Sequence, residues 1–328
     1  MSSQSVTVGP EADRELYDNR GAFAQELIRL AREDERVVAV CNDSVGSSSL
    51  VGFRDEFPDR LINVGIAEQT LVGVGAGLAN AGMIPFVCAA SPFLTGRSLE
   101  QVKVDVAYNQ LPVILCGMSP GMAYAQLGPT HHSVEDLSWL RALPGLDIVL
   151  PADRHQTVQA VRLAAASPTP TFIRVGRRKV PDVTAPESVL ERGRIAVARD
   201  GSDVTLVAAG NLLTEALDAA ELLAADGISA LVLDAAYLAP FDGDAIAKAA
   251  ARTKVMVTVE DANVAGGLGA AVASTVACLP RSSSAPLKIL GLREFAPTGN
   301  EKFLINYFGI DAASIAEATR EHLAQNQL

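Results

Sequence analysis

The sequence predicts an α/β protein built from two consecutive three-layer domains with mostly parallel sheets. Two observations carry this. From about Arg20 onward, amphipathic stretches with helical period alternate with short apolar runs, the pattern of strands covered by helices on both faces. One charged stretch of weak periodicity, residues 176–202, interrupts that alternation between two complete series. In the first series, the helix-like AFAQELIRLARE leads into the strand VVAVC. LINV, IPFVCAA, PVILCGM, DIVLP and TFIRV follow as strands, with helices expected over 67–82, 97–110, 134–142 and 154–166. In the second, DVTLVAAG, SALVLDA, KVMVTVE and LKILGL read as strands, with helices over about 212–225, 242–251, 267–278 and 311–325. The expected division is a first domain over 15–178, a linker over 179–202 and a second domain over 203–328.

Composition narrows the function classes. The chain has 328 residues, 49% of them hydrophobic, enough to bury two cores of ordinary size and to exclude a disordered chain. Lys plus Arg is 27 against 38 Asp plus Glu, a net charge of −11, so neither nucleic acid nor an anionic membrane surface is an expected partner. Cys41, Cys88, Cys116 and Cys278 lie far apart, and three of them fall in apolar strand-like runs. That pattern gives neither a disulfide framework nor a zinc site and suits a reducing cytoplasm. The segment MSSQSVTVGPEADRELYDNR has neither a basic leader nor an apolar core, so no signal peptide is expected. The uncharged span Val72–Ala90 is long enough to cross a bilayer, but its glycines, Asn80 and Pro85 divide it into a helix and a strand of a water-soluble fold.

Candidate chemistry starts with NVGIAEQTLVGVGAGL, where Glu68 is the only charge between Arg60 and Arg97. It reads either as a first-turn glutamate favoured by the helix dipole, or as a carboxyl group in an apolar seam suited to proton exchange with a bound heterocycle. Gly73, Gly75 and Gly77 each weaken that helix, which favours close approach of another helix and a subunit interface near Glu68. Their spacing does not fit a dinucleotide fingerprint. Gly266, Gly267 and Gly269 follow a strand and open a helix, so they could cradle an anion or only form a turn. LGPTHH places two of the four histidines in a loop after PVILCGM, at the strand end where open α/β sheets hold their sites. Ser47 and Ser91 lack a GxSxG elbow, and there is no P-loop lysine motif.

In order along the chain, NDSVGSS, NVGIAEQ, SPFLTGRSLEQVKVDVAYNQLPV, LGPTHHSVEDLSWLRALPG, PTFIRV and VEDANVAGGLG resemble the C-terminal half of transketolases, over nearly the whole chain. The resemblance implies a pyrimidine-binding domain followed by a transketolase C-terminal domain. It further implies thiamine diphosphate and Mg2+ as cofactors, sugar-phosphate substrates and transfer of a two-carbon ketol unit. The family's GDG motif and the asparagine after it have no counterpart here. The resemblance therefore implies an N-terminal partner subunit that holds the diphosphate and metal, with self-association besides.

Residue by residue, Glu68 matches the glutamate that hydrogen-bonds the aminopyrimidine and drives its imino tautomer. Phe93 matches the aromatic ring stacked on that pyrimidine, and Asp43 a carboxylate near the thiazolium. Arg20 and Ser47 match residues holding the acceptor's phosphate, Arg174 a second phosphate-binding arginine, and His131 the histidine that contacts the donor's hydroxyls. Two departures bear on donor choice: Leu127 stands where sugar enzymes of the family often carry aspartate, and His132 where many carry glutamine. Within the same chemistry, a 2-oxoacid dehydrogenase beta subunit and a 1-deoxyxylulose-phosphate synthase-like enzyme remain alternatives. A non-catalytic binding or scaffold protein is the alternative of another class.

Overall fold

A computed structural model of the chain describes residues 14–280 and 284–326. Most of the segment expected to carry no signal peptide lies outside them. The strands in chain order are β1 (Tyr17–Asp18), β2 (Val37–Cys41), β3 (Leu61–Asn63), β4 (Ile84–Ala90), β5 (Ile114–Met118), β6 (Asp147–Val149) and β7 (Thr171–Val175). They continue with β8 (Lys179–Val180), β9 (Ala196–Arg199), β10 (Val204–Ala208), β11 (Ala230–Asp234), β12 (Tyr237–Ala239), β13 (Val255–Asn263) and β14 (Leu287–Leu292).

The first sheet has the order β12-β6-β7-β5-β4-β2-β3 and is parallel except for β12, which pairs antiparallel with β6. The second has the order β14-β13-β10-β11-β9, parallel except for the edge strand β9. Strands β2, β5, β7, β10 and β11 are buried at every position, as parallel strands between two helical layers must be. β4 is buried at all but Ile84. The register sets Cys41, Cys88 and Cys116 side by side across β2, β4 and β5, and burial pushes the Cys41 thiol up to about 11. No helix among the described residues is long and apolar enough to cross a membrane.

Several elements differ from expectation. The stretch 179–202 carries β8, which pairs with β1, and β9, which closes one edge of the second sheet. β12 crosses from the second series to complete the first sheet, so the two units interlock. The helix expected over 97–110 is instead a short α-turn, Leu99–Gln101, followed by a π-helical segment, Val102–Tyr108. Of the three glycines after Glu68, packing within the chain requires Gly75, because a Cβ there would run into Val87 of β4; nothing within the chain crowds Gly77. The close approach within the chain is thus helix to strand, not helix to helix.

A buried carboxylate seals the seam between the units. Asp234, at the end of β11, is 3% exposed and accepts a hydrogen bond from Gln156 at the start of the helix Arg154–Ala166. Burial pushes its carboxyl up to about 7; Gln156 acts against that and Asp153 adds to it. A carboxyl raised in the fold favours the native state below its unfolded pKa, and that contribution is lost as pH rises through the folded value. The melting temperature of the wild-type chain should therefore fall as pH rises from about 4 to about 7, and Asp234→Asn should flatten that decline. Thermal melts of the two proteins over that range measure it, and parallel curves would refute the assignment.

Candidate active site

The carboxyl ends of β2 to β7 form one edge of the first sheet, and the loops leaving them bring several of the expected residues together. Glu68 opens the helix Glu68–Asn80, five residues past β3, and is 4% exposed. The helix has no side-chain cap, and Glu68 instead turns its Oε1 to two donors: Asn42 Nδ2 at 2.9 Å and Arg97 Nη1 at 2.9 Å. Asn42 follows β2 directly and is itself held by Ser44, whose Oγ donates to its Oδ1 at 2.5 Å. A buried charge needs a compensating partner, and these two supply it.

Phe93 lies in the short helix Ser91–Gly96 that leaves β4. The Arg97 guanidinium carbon stands 4.0 Å from its ring centroid, and the His131 ring meets it edge-on at 5.2 Å and 71°. His131 also packs on Tyr124 at 5.7 Å, and Arg177 lies 5.4 Å over Tyr124. Glu68, Arg97, Phe93, His131, Tyr124 and Arg177 thus form one continuous chain of contacts. The loop carrying GPTHH is closed at its base by a bridge between Gly121 and Ser133. Within it, His132 is buried with Nε2 3.0 Å from the Ala125 carbonyl, and burial lowers its pKa; Leu127 is 55% exposed.

The remaining expected residues sit apart from that chain. Asp43 takes a positive φ of 59° and donates its backbone N–H to Asn63 Oδ1 at 3.0 Å, leaving its carboxylate on the exposed rim. Ser47 is exposed on the same loop and donates to the Ser44 carbonyl at 3.3 Å. Arg20 closes its fork on Asp18, the residue that also caps its helix, at 3.1 and 2.6 Å.

Arg174, expected to bind phosphate, is engaged by acceptors within the chain. It is 6% exposed; Nε donates to Asp136 Oδ2 at 3.1 Å, Nη1 to Asp261, and Nη2 to the Ser133 carbonyl at 3.2 Å. Burial would lower its pKa, but Asp136 and Asp261 reverse that and hold it above its ordinary value. The cluster ties the base of the GPTHH loop to the second unit. The Gly266–Gly269 turn is likewise occupied from within, since the buried Glu260 accepts from the Leu268 and Gly269 N–H groups at 2.7 and 2.8 Å. Burial raises its carboxyl to about 7, against the pull of those N–H groups. The residues that sequence reasoning passed over are Asn42, adjacent to Asp43, Arg97, directly after the helix Ser91–Gly96, and Arg177, two residues past β7.

A model of the transketolase pyrimidine binding domain matches residues 16–183, and one of the transketolase C-terminal domain matches residues 193–315. The chain belongs to the transketolase family. It is 42% identical over 304 residues to a subunit of the apulose-4-phosphate transketolase of Phocaeicola vulgatus, covering 92% of this chain and 96% of that one. It is 37% identical over 303 residues to a subunit of the 6-deoxy-6-sulfo-D-fructose transketolase of a Clostridium species, covering 92% and 93%. Among solved structures, a split-gene transketolase described as an inactive beta4 tetramer superposes with a TM-score of 0.86 at 35% identity, over 94% of this chain and 99% of that one. The chain spans about half, 48%, of the 1-deoxy-D-xylulose-5-phosphate synthase 1 of Geobacter sulfurreducens, to which it is 36% identical. Members of the family are thiamine diphosphate-dependent transferases, and this chain has the extent of a C-terminal subunit.

Arg174→Ala should leave Asp136 and Asp261 facing each other without a cation. A loss of about 3–5 kcal/mol of stability is expected, read as a lower urea midpoint. Unchanged stability with a selective loss for phosphorylated substrates would support the phosphate role instead.

Proposed function

We propose that this chain is the C-terminal subunit of a cytoplasmic split transketolase that moves a two-carbon ketol unit between sugar phosphates. It would complete its site with an N-terminal subunit carrying the GDG motif, and would associate with itself as well. The observation that carries this reading is the juxtaposition of a buried Glu68, the Phe93 face and His131 at the carboxyl edge of the sheet. A buried carboxylate beside an aromatic face fits an aminopyrimidine, which offers ring nitrogens for hydrogen bonding and a flat surface for stacking. Thiamine diphosphate, when bound, supplies the nucleophilic carbon; its diphosphate and Mg2+ are assigned mainly to the partner.

Each residue of this chain then has a limited task. Glu68 holds a proton at the pyrimidine nitrogen, and Asn42 fixes the carboxyl that does so. Phe93 orients the ring. His131, clamped between Phe93 and Tyr124, presents an imidazole to the donor's hydroxyls. Asp43 is assigned to the thiazolium side, and Ser47 and Arg20 to the acceptor end. Arg177 is a better phosphate ligand than Arg174, because it is exposed and lies over Tyr124, next to His131. Near full-length similarity to transketolase subunits, and to a split-gene transketolase of known structure, favours this reading over a synthase of twice the length.

Assembled with the N-terminal subunit, Glu68→Gln should lower turnover on the order of a hundred- to ten-thousandfold, the range for removal of a positioned acid or base. Its melting temperature should stay near wild type. Steady-state ketol transfer and hydrogen exchange at the cofactor's reactive carbon are the readouts. Wild-type exchange in the variant would reduce Glu68 to a carboxylate at a helix start.

A further inference from the structure

Arg97 makes two contacts at once. Its Nη1 donates to Glu68 Oε1 at 2.9 Å, and its guanidinium carbon stands 4.0 Å from the centroid of Phe93. A flat group that hydrogen-bonds the buried carboxylate while stacking on the aromatic face does what the proposed function asks of the aminopyrimidine ring. The two occupants compete for the same groups: Arg97 takes Oε1 of the carboxyl that the ring nitrogen would use, and covers one face of Phe93.

The two partners of Glu68 are held differently. Asn42 is 7% exposed and its amide oxygen is fixed by Ser44. The Arg97 side chain is 52% exposed and, among the described residues, its hydrogen-bond and cation–π partners are Glu68 and Phe93. It follows Gly96, the last residue of its short helix, so its flexible stem can swing toward solvent while the backbone stays in place.

We propose that Arg97 is a mobile positioning residue that sits in the pyrimidine seat, keeps Glu68 and Phe93 aligned, and yields that seat to the aminopyrimidine ring. This rests on the function proposed above. A carboxylate facing an apolar seam needs a donor at all times, and a guanidinium that is the right shape but weakly held supplies one that can be exchanged. Arg97 would then set how tightly the ring is held, without taking part in the chemistry.

The chain contains a reporter for this exchange. Its single tryptophan, Trp139, lies 3.1 Å from the position a Cβ on Gly96 would take, beside Arg97. Titrating the full chain with 4-amino-2-methylpyrimidine, followed by Trp139 fluorescence and by calorimetry, compares wild type with Arg97→Ala and Arg97→Lys. Arg97→Ala should bind the fragment about fivefold more tightly, the factor carried by one half-exposed ion pair. Millimolar guanidinium chloride, filling the same seat, should weaken binding to Arg97→Ala and leave wild type unchanged. Arg97→Lys keeps the charge but loses the planar stack, should fall between the two, and serves alone if the alanine variant fails to fold. Equal or weaker binding in a folded variant, or no competition by guanidinium, overturns the role of Arg97 while leaving the pyrimidine reading intact. No binding to any of the three proteins overturns both.

Discussion

The carboxylate of Glu68 is removed from water at the start of a helix, and much of the surrounding site follows from what that burial demands. A charge in an apolar seam must find donors that are already in place. The chain answers with one donor from the turn after β2 and another from the end of the helix after β4, so two adjacent strands converge on one oxygen. Arg97 can reach it because the helix Ser91–Gly96 packs tightly over the helix Asp136–Arg141, where Gly96 leaves room for the Trp139 ring. The helix that positions Glu68 rests directly on β4 through Gly75.

A second buried charge holds the other side of the cleft. Arg174, near the carboxyl end of β7, gathers Asp136 from the first unit and Asp261 from the second, and its contact to the Ser133 carbonyl pins the loop that carries His131. Ser133 and Ser91 extend the same network, linking the loop to the residue that starts the Phe93 helix at 2.9 Å. His131 and Phe93 therefore meet because their supports are hydrogen-bonded to one another. The interlocking strand β12 and the Asp234–Gln156 contact make the two units a common scaffold for this edge.

Those parts of the fold written in local pattern were legible in the sequence. Apolar runs such as VVAVC, TFIRV and VTLVA became fully buried strands, and the helix over 154–166 lies where its period placed it. What was not legible depends on distant partners. Tyr237–Ala239 is a strand only because β6 offers a free edge, and Ala196–Arg199 only because β11 does. The same limit applies to the site. Glu68 stood out as a lone charge, but nothing local marks Asn42 or Arg97 as its partners. PTFIRV looks the same whether Arg174 faces a substrate or two aspartates of the chain itself, and the glycines at 266–269 gave no sign that Glu260 fills their turn.

Under the proposed function this chain is half of a site: it supplies the pyrimidine side and leaves the diphosphate and metal side to another subunit. Calorimetric titration of thiamine diphosphate with Mg2+ into this chain, into the GDG-bearing subunit and into their equimolar mixture tests that division directly. Tight, saturable binding at one cofactor per pair of subunits is expected in the mixture alone. Binding to this chain by itself as tight as to the mixture would contradict it.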